Sequence, residues 1–102
     1  MATENASFQE LIQSEQPILV DFFATWCGPC QAMNPILKDL ARELRHQVRI
    51  IKIDVDKNQA LAARLQVRGV PTFALFKEGD LKWRQAGMQT KEQLKQVIEA
   101  NQ

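Results

Sequence analysis

Apolar positions along this chain change their period from segment to segment. Ile18-Leu19-Val20-Asp21-Phe22-Phe23 is a near-continuous apolar run of strand length, the pattern of a strand buried on both faces. After Cys30 the spacing becomes helical and stays so to about Arg45. Met33, Ile36, Leu37, Leu40, Ala41 and Leu44 recur at i, i+3, i+4 and i+7 and predict one core-facing stripe. Val48 to Val55 returns to β-branched residues and predicts a second strand. Leu61, Ala62 and Leu65 then mark a short helix over Gln59–Leu65, capped by Asp56 or Asn58. Thr72–Lys77 and Leu81–Ala86 are strands joined by the turn Glu78-Gly79-Asp80, and so are antiparallel. Gly87 interrupts the end of the second. Thr90 and Gln93 have the spacing of a capping box and open a last helix carrying Leu94, Val97 and Ile98. Upstream of all this, Ser7 and Glu10 predict another capping box, for a helix over Phe8–Ser14 that Pro17 terminates.

The predicted order is α-β-α-β-α-β-β-α. A long helix between the first two strands makes them parallel through a right-handed crossover. The expected fold is therefore α/β, a mixed sheet with helices on both faces. Two charged residues break the strands. Asp21 lies in the first, where a buried carboxylate should have a raised pKa. A side chain leaning to the sheet edge and into water is the plainer reading, and a buried proton acceptor is the functional one. Lys52 breaks the second strand. It either pairs with Asp21 or carries its ammonium out to solvent. Pro35 falls within the long helix and should kink it. His46, the only histidine, sits at that helix's predicted end, as a surface residue would.

Composition narrows the class. The 102 residues suit a single domain spanning 1–102, 45% of them are hydrophobic and 25% charged, and the net charge is +1. No basic block suggests nucleic acid, and no apolar run is long enough to span a bilayer. Met1 to Ser7 lacks the basic start and apolar centre of a secretory signal, so the expected location is cytoplasmic. In that compartment a close cysteine pair is more often catalytic than structural.

The pair is Cys27 and Cys30, the only cysteines, set in Trp26-Cys27-Gly28-Pro29-Cys30. It falls where a strand hands over to a helix, among unpaired N–H groups and a positive local field. Such a place stabilises the thiolate, which is the form that attacks disulfides. Cys27, at the end of the turn, is expected to be exposed and attacking. Cys30, one turn into the helix, is expected to be shielded and resolving. Gly28 permits the tight turn, and Pro29 suits a first helical turn that needs no N–H from it. A zinc site is disfavoured, because two cysteines and one distant histidine do not supply four ligands. A structural disulfide is disfavoured too, since so short a loop constrains the unfolded chain little. Cys-x-x-Cys beside a βαβ pattern remains, and it reads as a thiol–disulfide redox centre.

These residues resemble the thioredoxin family over nearly the whole chain. Trp-Cys-Gly-Pro-Cys at 26–30 is the family's active-site motif. Val20-Asp21-Phe22, Pro35, Lys52, Asp54, Gly69-Val70-Pro71-Thr72, Phe76-Lys77-Glu78-Gly79 and Gly87 follow in family order. The resemblance implies a thioredoxin fold, with four or five strands and four helices, and a cis peptide before Pro71 beside the cysteines. It implies Asp21 as the buried acid–base residue with Lys52 near it. It also implies a substrate groove of Trp26, Val70, Pro71, Ala86 and Gly87. The implied activity is reduction of protein disulfides by a monomer through the Cys27–Cys30 couple. No cofactor would be bound, and a flavoprotein thioredoxin reductase using NADPH would restore the dithiol. A thiol oxidase or isomerase, or a redox-silent binding module, are the alternatives. Gly28-Pro29 speaks against the first and the intact cysteine pair against the second.

Three features depart from the family pattern. Little sequence precedes the first helix, so the family's first edge strand should be short or absent. Phe23 replaces a common second tryptophan. Gln31 stands where lysine is common, which removes a positive charge near Cys27.

Overall fold

A computed structural model describes residues 4–102. Four helices and four strands follow one another as α1 (Glu4–Leu11), β1 (Ile18–Phe23), α2 (Gly28–Glu43), β2 (Arg49–Asp54), α3 (Gln59–Arg64), β3 (Thr72–Lys77), β4 (Asp80–Ala86) and α4 (Lys91–Ala100). The sheet order is β2-β1-β3-β4. β1 runs parallel to β2 and antiparallel to β3, and β4 closes the sheet as an antiparallel hairpin partner of β3. This is the expected mixed sheet of parallel and antiparallel strands.

Alternation along the strands divides the core into two layers. Leu19, Phe73 and Leu75 face α2 and α4, where Met33, Leu37, Leu40, Leu94 and Ile98 pack on them. Ile18, Val20, Phe22, Ala74 and Phe76 face the other way, onto Phe8 of α1, Ile12 just after it and Leu61 of α3. Phe8 and Phe76 meet edge to face, with centroids 5.3 Å apart. The chemistry sits at the end of the sheet where β1 leaves the core and α2 begins. Both elements are anchored along their length, so that junction is held from two sides.

Local signals explain most boundaries. The Thr90–Gln93 capping box forms in both directions: Thr90 Oγ1 accepts from Gln93 N–H at 3.0 Å, and Gln93 Oε1 accepts from Thr90 N–H at 2.8 Å. The 78–80 turn uses positive φ at Glu78 (53°) and Gly79 (86°). α2 and α4 are tied at the surface, where Glu43 pairs with Lys91 and Lys95. The first helix differs from the sequence expectation. It begins at Glu4, which places Ser7 inside it, so Ser7 does not cap its start. Glu4–Leu11 being helical also means that no strand precedes Ile18 among the described residues; Met1, Ala2 and Thr3 lie outside them. Asn58, not Asp56, is the α3 cap residue, and its side chain makes no capping hydrogen bond. Pro35 lies within α2, which continues through it to Glu43.

Candidate active site

β1 ends at Phe23, and four residues later Cys27 caps α2 in extended conformation. Its Sγ accepts a hydrogen bond from the Cys30 N–H at 3.1 Å. A sulfur atom thus occupies the position that a serine or aspartate oxygen usually takes at a helix start. The Cys27 carbonyl accepts from Gln31 N–H, the first backbone bond of the helix. Pro29 falls in the first turn, where a missing N–H leaves nothing unsatisfied. Cys27 and Cys30 are joined as a disulfide with Cα atoms 5.2 Å apart.

Both cysteines are buried, Cys27 at 4% exposure and Cys30 at 2%. The expectation that Cys27 would be openly exposed is corrected by this near-equality. Ala24 shares a small apolar cluster with the two cysteines, and Phe23, Val55 and Val70 pack against it. The neighbouring Gly28 and Pro29 are exposed, so the bridge lies just beneath an accessible turn.

Val70, half-buried, comes from the loop before β3. The Val70–Pro71 peptide is cis, as the family resemblance implies. Pro71 is buried, and its carbonyl accepts from Gly87 N–H at 2.8 Å, while Thr72 Oγ1 donates to the Gly69 carbonyl. The cis loop is thereby fixed from β4 on one side and from its own start on the other. Gly87 takes φ 91°, a left-handed value that favours glycine, and Ala86 beside it is exposed. The 86–87 segment therefore joins the Val70–Pro71 loop, and Val70 joins that loop to the cysteines. Trp26 is 71% exposed, and its Nε1–H donates to Asp56 Oδ2 at 2.8 Å.

Asp21 is fully buried, which decides against a carboxylate reaching water. Neither of its oxygens has a hydrogen-bond partner in the protein. Burial pushes its pKa up from 3.8 to about 6, and the positive charge of Lys52 acts in the opposite direction. Lys52 is its register partner across the β1–β2 ladder. The two do not form an ion pair. The Lys52 ammonium instead donates to Asn34 Oδ1 and lies 4.6 Å from the centroid of the Phe23 ring.

A cavity of about 220 Å³ opens beside Lys52, lined also by Phe23, Thr25, Cys30, Gln31 and Asn34 among others. A larger one of about 640 Å³ lies between β4 and α4, but Trp83, Gln85, Met88 and Gln93 on its wall offer nothing nucleophilic or titratable. The smaller cavity is the one that Cys30 and Lys52 line. Gln31, where a lysine was noted as common, donates to the Thr25 carbonyl at 2.8 Å and ties the start of α2 to the turn before it. His46 is exposed at the far end of α2. Sequence reasoning missed two contributors. Asp56 was weighed only as a helix cap, and nothing local announces its bond to Trp26, thirty residues away. Asn34 carried one signal: it lies four residues after Cys30, on the same helix face.

Comparison with known proteins agrees with this geometry. The family model described as Thioredoxin matches residues 1–100. A thioredoxin-like protein of Synechocystis sp. is 46% identical over 95 residues, covering 92% of this chain and 90% of that protein. Chloroplastic thioredoxin Y of Oryza sativa is 46% identical over 96 residues, and there the match covers 93% of this chain but 57% of the relative. The solved structure of a mutant thioredoxin from Halobacterium salinarum superposes with a TM-score of 0.86 at 40% identity, covering 94% of this chain and 83% of that one. No helix among the described residues is long and apolar enough to cross a membrane. The chain belongs to the thioredoxin family of thiol–disulfide oxidoreductases, and its redox-active pair is Cys27 and Cys30.

Proposed function

We propose that Cys27 is the attacking sulfur, Cys30 the resolving one and Asp21 the proton acceptor of a protein-disulfide reductase. The observation that carries the assignment is the Cys30 N–H directed at Cys27 Sγ, at the start of α2. That amide and the helix field stabilise negative charge on Cys27 once the bridge is reduced. The Cys27 thiolate attacks one sulfur of a substrate disulfide. A mixed disulfide forms, and the other substrate sulfur leaves as a thiolate that takes up a proton. Cys30 then gives its proton to Asp21, and its sulfur attacks Cys27 Sγ. The mixed bond breaks, the second substrate thiol departs, and the Cys27–Cys30 bridge remains. Two electrons pass from the dithiol to the substrate. The second step is rapid because both sulfurs belong to one helical turn.

Lys52 moderates the charge on Asp21, while Gly28 and Pro29 shape the turn. Trp26, Val70, Pro71, Ala86 and Gly87 form the surface that receives an extended substrate segment. The Val70–Pro71 loop reaching the cysteine cluster supports this placement. The reading extends to a cytoplasmic monomer acting as one domain, with reducing equivalents drawn from NADPH through a thioredoxin reductase and no cofactor of its own. Substituting each cysteine by serine tests the roles. Cys30→Ser should accumulate mixed disulfides with substrate proteins on non-reducing gels, and Cys27→Ser should accumulate none. Full activity in Cys27→Ser would refute the assignment.

A further inference from the structure

Lys52 faces Asp21 across the ladder, yet its ammonium is held elsewhere. Asn34 Oδ1 accepts its hydrogen bond, and the Phe23 ring lies beneath it. Phe23, Cys30, Asn34 and Lys52 line one cavity. The Lys52 side chain is exposed, and an unrestrained ammonium on a four-carbon stem spends its time in water. Its field at a buried carboxylate falls with distance, so whatever fixes the ammonium also fixes that field.

We propose that Asn34 is a positioning residue: by holding the Lys52 ammonium over the Phe23 ring, it sets how strongly Lys52 favours the ionised form of Asp21. Other groups facing Asp21 do not compete for this part. β3 offers Phe73 as its register partner, which is apolar. The helices over the Asp21 face of β1 bury Cys30, Met33, Leu37 and Leu40 of α2 and Leu94 and Ile98 of α4, and of these only Cys30 can titrate, being in the disulfide in this state. Asp54 shares the Lys52 face of β2, but its Oδ1 accepts from the backbone N–H groups of Asp56 and Lys57. The consequence for catalysis rests on Asp21 being the proton acceptor for Cys30. The hold of Asn34 on the Lys52 field does not.

The test follows the Asp21 side-chain carboxyl carbon by NMR through a pH titration of the oxidised protein. The forms compared are wild type, Asn34→Ala, Lys52→Met and the double variant. Alanine is a better helix former than asparagine, so the first variant keeps α2. Asn34→Ala should raise the Asp21 midpoint by about half a pH unit, as a retreating cation no longer favours the anion. In the Lys52→Met background it should add nothing. No shift, a downward shift, or an equal shift without Lys52 would overturn the proposal. The pH profile of mixed-disulfide resolution, measured on the same variants, should move with the midpoint. A moving midpoint with a fixed profile would overturn Asp21 as proton acceptor, and with it the part of Asn34 in catalysis. A fixed midpoint would overturn the hold of Asn34 while leaving the role of Asp21 intact.

Discussion

The amide of Cys30 donates to the sulfur of Cys27 across 3.1 Å, so the backbone of one cysteine favours negative charge on the sulfur of the other. The unpaired N–H groups of a helix start point only one way, towards the capping position. The two chemically identical thiols are thereby made unequal. In reduced protein at neutral pH, a small alkylating agent should modify Cys27 at least about ten-fold faster than Cys30, because only the thiolate reacts. Peptide mapping after timed quenching checks this, and equal labelling would remove the helix cap as the source of asymmetry.

Asp21 makes stability depend on pH with a definite sign. Its pKa is about 6 when folded against 3.8 ordinarily. Well below pH 4 the group is neutral in both states and its ionisation adds no penalty to folding. Between pH 4 and 6 the unfolded chain ionises first, so stability falls as pH rises, and well above 6 the loss is complete. Asp21→Asn removes this term. Its stability relative to wild type should be about 2 kcal/mol more favourable at pH 8 than at pH 4. Denaturant unfolding of the oxidised proteins at the two values measures that difference, and a pH-independent difference would contradict the buried, unpartnered carboxylate.

Thr90 caps α4 with a two-way hydrogen-bonded box, and α4 contributes Leu94 and Ile98 to the core. Thr90→Ala should lower stability by about 1 kcal/mol without changing the cysteine chemistry. Urea midpoints together with an insulin-reduction rate separate the two effects.

Gly87 and Gly79 both take positive φ, but their surroundings differ. A Cβ at Gly87 would meet nothing within 4 Å, whereas one at Gly79 would come 2.5 Å from the Gln13 side-chain amide. Gly87→Ala should therefore lose only backbone energy, about 1 kcal/mol. Gly79→Ala should lose at least as much, and it also displaces Gln13 of the segment after α1. Thermal unfolding of both variants checks the ranking.

Elements with local, self-announcing chemistry were legible in the sequence. The bounds of β3, the Thr90–Gln93 box and the stripe of α2 all depend on residues a few positions apart. The cysteine pair was legible for the same reason. The Ser7–Glu10 pattern misled because the same spacing also occurs within helices, and here the first turn starts earlier. The burial of Cys27 was not readable, since Val70 and Val55 reach it from loops distant in the chain. Asp21 and Lys52 were recognised as neighbours, but the side chain that decides where the lysine points comes from a third element.

The reduction potential of the Cys27–Cys30 couple is the measurement to make first, by equilibrating the protein against a graded series of dithiothreitol or glutathione buffers. A disulfide reductase requires a value more negative than the glutathione pool, so that the dithiol donates electrons to substrate bridges. A value at or above that pool would mean the bridge accepts electrons, and the protein would be a thiol oxidase or isomerase instead.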